Sequence, residues 1–111
     1  MKAVTEEVLR RLTAAIVEVA QPEQIYLFGS QARGSARNDS DVDLLIVDRQ
    51  PFGPERSRQK ELARLWKLAA AFRVAADLLL FSRAEVEAWR NSRNHIVAHA
   101  LREGRLLYER P

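Results

Sequence analysis

An α+β fold, a small mixed β-sheet with helices packed on it, is what this sequence of 111 residues predicts. Three observations carry the prediction. Short β-rich runs alternate with segments of helical periodicity; the strands are too few for a barrel; and each helix has one apolar stripe to cover, which a sheet face can do. The length is that of one domain, spanning residues 1–111.

The first helix is expected from about Thr5 to Ala20, with Val8, Leu12, Ala15, Ile16 and Val19 on one face, Thr5 as N-cap and Pro22 beyond its end. Ile25 to Phe28 is a short strand ended by Gly29-Ser30, and Gln31 to Ala36 has room for a turn or two of helix. Asp41 to Val47 is apolar on both faces after its first residues, as expected of an interior strand. Two prolines and a glycine in Arg49 to Pro54 mark a loop within the domain. A helix follows, with Leu62, Leu65, Trp66, Ala69 and Phe72 at helical spacing. Val74 to Phe81 reads as a third strand. Ser82 and Glu85 then form a capping box, a final helix runs from Arg93 to Glu103, Gly104 caps it, and Arg105 to Tyr108 is extended again.

Composition excludes several classes of function. With 47% hydrophobic and 30% charged residues the chain is a packed globular one, and with no cysteine it has no disulfide framework, no Cys-based zinc site and no thiol nucleophile. The N-terminus turns acidic at Glu6-Glu7 where a signal peptide would be apolar, and no apolar run approaches the ~18 residues of a membrane span, so a cytoplasmic protein is expected. The net charge of +3 admits a phosphate-bearing partner. However, Arg56, Arg58, Lys60, Arg64 and Lys67 alternate with Glu55 and Glu61, as on a solvated helix face.

Gly29-Ser30 and Asp41-Val42-Asp43 are the residues that point to chemistry. Alternate strand residues share a face, so Asp41 and Asp43 project together, and two unneutralised carboxylates there would raise each other's proton affinity. Magnesium, which prefers hard oxygen ligands and is commonly held by one or two carboxylates with substrate phosphates, suits them. Gly29 lets backbone approach a ligand closely, and Ser30 stands where a strand gives way to a helix start, a phosphate-binding position. Asp77, a lone charge in the apolar run Val74 to Phe81, is costly to bury unless it is paired or binds metal; on a strand beside the second it would join Asp41 and Asp43 and accept a proton from an attacking hydroxyl. Each element by itself has a structural reading, for Gly-Ser turns are common and Asp39 and Ser40 could form an Asx turn. Together they compose a site.

Gly29-Ser30, ten residues, then Asp41-Val42-Asp43 resembles the Gly-Ser-x10-Asp-x-Asp signature of the polymerase-beta-like nucleotidyltransferases. The stretch Gly29 to Val47 is similar to their minimal (MNT) branch, as is the ending Arg102 to Glu109. The resemblance implies a polymerase-beta-like nucleotidyltransferase fold and Mg2+-dependent transfer of a nucleoside monophosphate from a nucleoside triphosphate, ATP being the expected donor. It implies Gly29 and Ser30 on the triphosphate, Asp41 and Asp43 on metal, and Asp77 as the third carboxylate; Arg33 is a candidate to orient phosphate. It further implies a HEPN-family toxin as acceptor and partner, with this chain as the antitoxin. The alternative is a non-catalytic nucleotide-binding module that neutralises the partner by contact. A homo-oligomer also satisfies the apolar surface expected on the helices from Glu55 to Phe72 and Glu85 to Glu103, where Trp66 and Trp89 are core or partner contacts. Nucleic acid is not expected, since the aspartates would face a polyanion. His95 and His99, at i and i+4, lack a third metal ligand, and Arg90 with His95 matches the Arg-x4-His element of HEPN ribonucleases by spacing alone.

Overall fold

The computed structural model describes residues 5–29 and 42–111. The elements in chain order are α1 (Glu6–Ala20), β1 (Gln24–Phe28), β2 (Val42–Asp48), α2 (Arg58–Ala71), β3 (Ala76–Ser82), α3 (Arg83–Trp89), α4 (Ile96–Glu103) and β4 (Arg105–Glu109). The strands form one mixed sheet in the order β3-β2-β1-β4, with β2 and β3 parallel and the other pairs antiparallel. The short helix expected over Gln31 to Ala36 lies outside the described residues.

Each helix start is set by a local side chain. Thr5 Oγ1 accepts from Val8 N–H at 3.1 Å and Ser57 Oγ from Lys60 N–H at 3.2 Å; Ser57 is a cap that apolar periodicity does not reveal, and it starts α2 well before Leu62. The capping box at α3 is complete, Ser82 and Glu85 exchanging hydrogen bonds of 3.2 and 2.9 Å. The last helix is shorter than the sequence predicts and begins at Ile96, not Arg93. His95 stands outside it as N-cap, its Nδ1 accepting from Val97 N–H at 3.1 Å while its ring stacks on Trp89. The third strand also starts later than Val74, because Val74 N–H bonds back to Ala69 O and Arg73 takes a left-handed φ of 57° to turn the chain out of α2.

The two faces of the sheet bury two cores. On one, Ile25, Leu27, Val42, Leu44, Ile46, Leu78 and Leu80 pack under α1 and α2 through Leu9, Leu12, Ile16, Leu65 and Ala69. On the other, Leu45 and Val47 pack under α3 and α4 through Val86, Val97 and Ala100. β2 is thus covered on both sides, as its continuous apolar run demands. The buried stripe of α1 is rotated from the expected one: Leu9 and Thr13 are in, while Val19 is exposed. Thr13 turns its hydroxyl back on Leu9 O at 2.8 Å, which removes the cost of burying it.

Gly104 follows α4 with φ −84°, not the left-handed value common at helix ends. It is needed there for another reason. A Cβ would lie 2.8 Å from Leu27 O and closer still to Ala100 O, so only glycine lets the α4–β4 corner close against β1.

Candidate active site

Strand register builds the site. Phe28 pairs with Asp43 across the antiparallel β1–β2 ladder, and Asp43 pairs with Asp77 across the parallel β2–β3 ladder. Paired residues of neighbouring strands point to the same face, so Phe28, Asp43 and Asp77 share the face that α3 and α4 cover. The core under those helices holds Leu45 and Val47, and Phe28 at the end of β1 packs against it. Asp43 is half-buried and Asp77 is exposed.

Asp77 is therefore not the buried charge that its apolar flanks imply. Ala76, Leu78 and Leu80 turn into the core, while Asp77 takes the opposite side of the pleat near the start of the strand. Its alignment with Asp43 is nevertheless the one a shared site requires. Backbones of paired strands lie about 4.8 Å apart, so two ionised carboxylates in register repel unless a cation or a donor lies between them.

Gly29 completes this corner. It leaves β1 with φ +74°, and a Cβ on it would overlap Asp43 Oδ2, with Asp43 Cγ 3.1 Å away. Its missing side chain admits a protein carboxylate, a closer contact than the approach to a ligand foreseen from sequence. The donor set at this end, carboxylate oxygens on rigid strands with one facing solvent, fits a hard divalent cation such as Mg2+. Among the described residues no three His, Asp or Glu side chains gather to hold a metal. Asp41, Ser30 and Arg33 lie outside the described residues.

Two other candidate sites dissolve. His95 spends Nδ1 on the N-cap and its ring on Trp89 (centroids 4.4 Å apart, 14° between planes), with Phe81 edge-on at 5.8 Å, so it does not share a helical face with His99. His99 Nδ1 is 3.4 Å from Arg102 Nη2, and Arg90 pairs with Glu87 at 2.8 Å; neither joins His95 in a catalytic pair. Sequence reasoning did not find the buried Asp48, which pairs with Arg56 at 2.6 Å and accepts from Gln50 N–H at 3.1 Å, fixing the loop after β2. An aspartate shortly before a Pro-Gly loop was the available signal.

Among functionally curated proteins none matches the chain. Solved structures do. A structure described as a minimal nucleotidyltransferase is 31% identical, with a TM-score of 0.57, 89% of this chain covered and 92% of that one. A toxin–antitoxin complex with AMP-PNP is 20% identical with a TM-score of 0.60, covering 91% of this chain and 73% of that one. An MNT antitoxin in complex with a tri-AMPylated HEPN toxin of Shewanella oneidensis is 16% identical with a TM-score of 0.59, covering 96% and 74%. At these identities the latter two show a common fold. The family model for polymerase beta nucleotidyltransferases matches residues 11–111, a span that contains the whole sheet and the Gly29, Asp43 and Asp77 corner, and the chain belongs to that family.

Proposed function

We propose that the chain transfers a nucleoside monophosphate, AMP from ATP, to a hydroxyl of a partner protein, a HEPN-type toxin that the transfer silences. The observation that carries this reading is the register of Asp43 with Asp77 at one end of the sheet, with Gly29 closing over Asp43. Two carboxylates in register, one of them exposed, support a site shared by a metal-bound triphosphate and an incoming hydroxyl. The family membership supports nucleotide transfer, and the AMPylated HEPN toxin bound to the MNT antitoxin supports the choice of acceptor.

In the proposed reaction the acceptor oxygen attacks the α-phosphorus, the bond from that phosphorus to the bridging oxygen of the β-phosphate breaks, and pyrophosphate leaves. Asp43, with Asp41, would hold Mg2+, which when bound supplies positive charge to the phosphates. Asp77, exposed and in register with Asp43, takes the proton of the attacking hydroxyl. Gly29 and Ser30 carry the triphosphate and Arg33 orients it.

Incubation of the chain with Mg2+, α-labelled ATP and a HEPN toxin tests this. Label on the toxin that disappears with EDTA and in Asp43→Asn is the expected result. Unlabelled toxin that is nevertheless inhibited would replace the transferase reading with neutralisation by contact.

A further inference from the structure

The outward face of α2 is covered by no element among the described residues. Gln59, Ala63, Trp66 and Ala70 line it at helical spacing, and all four are exposed, Trp66 at 41%. An exposed tryptophan between two alanines leaves a bulky anchor with room on each side for a helix backbone to approach. Around it stand Lys60, Lys67 and Arg73, all exposed and with no ion pair to a described residue. Glu6, Glu7, Glu23, Glu61, Glu85 and Glu87 each hold an arginine of the same chain, so positive charge is left uncompensated on α2.

We infer that this face, with Trp66 as anchor and Lys60, Lys67 and Arg73 as its rim, docks an acidic amphipathic helix of the protein that receives the nucleotide. The inference rests on the transfer reading above for the identity of the partner only. A second copy of this chain is a poor occupant, because of its glutamates on α1 and α3 Glu6, Glu7, Glu85 and Glu87 are already engaged by arginines of the same chain, which leaves Glu18 alone to meet three cations. A nucleic acid strand is also poorly served, for a convex helix with one tryptophan offers neither a groove nor a row of stacking rings. Position supports the acceptor. α2 is the crossover between the parallel strands β2 and β3, and its C-terminal end passes through Arg73 and Val74 to Ala75, whose carbonyl accepts from Val42 N–H at 2.8 Å beside Asp43 and Asp77. A helix lying along α2 therefore leads toward the same end of the sheet as both aspartates, and from there the acceptor must reach around the strand ends, because α2 and the aspartates lie on opposite faces.

The test uses the full chain carrying the photo-cross-linker p-benzoylphenylalanine at position 66, irradiated in its host cells, and the charge-reversal variant K60E/K67E. The expected adduct joins position 66 to an acidic helix of the nucleotide-labelled protein. K60E/K67E is expected to raise the KM for that acceptor at least tenfold while leaving slow, acceptor-independent ATP hydrolysis unchanged. An adduct to RNA, to a second copy or to nothing overturns the inference, as does an unchanged KM. Failure of the wild-type chain to turn over ATP at all would remove the transfer reading, whereas the adduct at position 66 still decides what binds α2.

Discussion

The carboxylate of Asp43 occupies the space where the side chain of residue 29 would be, and Gly29 makes this possible with a left-handed φ of +74°. The end of β1 and the start of β2 are thereby locked together at the corner where Asp77 also stands. Mutating either partner of this contact has a predictable and different consequence.

Asp43→Asn keeps the volume and removes the charge. Metal-dependent release of pyrophosphate is expected to fall by about 100-fold or more, a loss of the size that follows removal of a charge-stabilising group from a site, with the circular dichroism spectrum unchanged. Turnover at the wild-type rate would show that Asp43 holds no metal.

Gly29→Ala acts through backbone and sterics. The left-handed conformation costs a residue with a Cβ about 1–2 kcal/mol, and the new methyl must displace the Asp43 carboxylate. Both a lower denaturation midpoint and lost turnover are expected, so the variant separates from Asp43→Asn by its stability.

Asp77→Asn is expected to abolish turnover without destabilising the chain. Its side chain is exposed, and surface substitutions away from special contacts change stability by no more than about 0.5 kcal/mol. Urea titration and pyrophosphate release on the same preparation check both halves.

Gly104→Ala is expected to cost about 1–3 kcal/mol, as overpacking does, because the added methyl meets the carbonyl oxygens of Leu27 and Ala100, which are backbone and cannot rotate aside. Its φ of −84° suits any residue, so conformational preference makes no contribution. A urea midpoint equal to wild type would show that the corner can relax.

Glu85 governs an acid-sensitive element. Burial alone would raise its pKa, but hydrogen bonds from Ser82 and the Arg58 guanidinium outweigh burial, and the folded value lies below the ordinary 4.5. A group depressed on folding stabilises above its unfolded pKa and loses that contribution as pH falls through the folded one. Stability should therefore decline from about pH 4.5 downward. Glu85→Gln should flatten that part of the pH profile, whereas Ser82→Ala should lower stability by about 1 kcal/mol at neutral pH.

Among the described residues the types and order of the elements were legible in the sequence, because apolar periodicity and capping residues act over a few positions. Thr5 starts α1, the Ser82–Glu85 box starts α3, and the two-faced apolar run of β2 requires layers on both sides. The sequence also singled out Gly29, Asp43 and Asp77. What it could not supply was how these residues meet. Whether Asp77 falls opposite Asp43 depends on the β2–β3 register, which is fixed by the way α2 carries the chain back across the sheet and by the packing of Leu44, Ile46, Leu78 and Leu80 on α1 and α2. Apolar neighbours made Asp77 read as buried, yet it takes the side of the pleat opposite Ala76 and Leu78 near the start of β3, where it is exposed. His95 fits the spacing of a helical pair until the ring of Trp89 and the N–H of Val97 claim it. Glycine at 104 read as a helix cap, and only the approach of Leu27 and Ala100 gives the reason for a glycine there. Spacing fixes which residues share a face of one element; contacts between elements distant in sequence depend on how whole faces pack, and no local pattern encodes that.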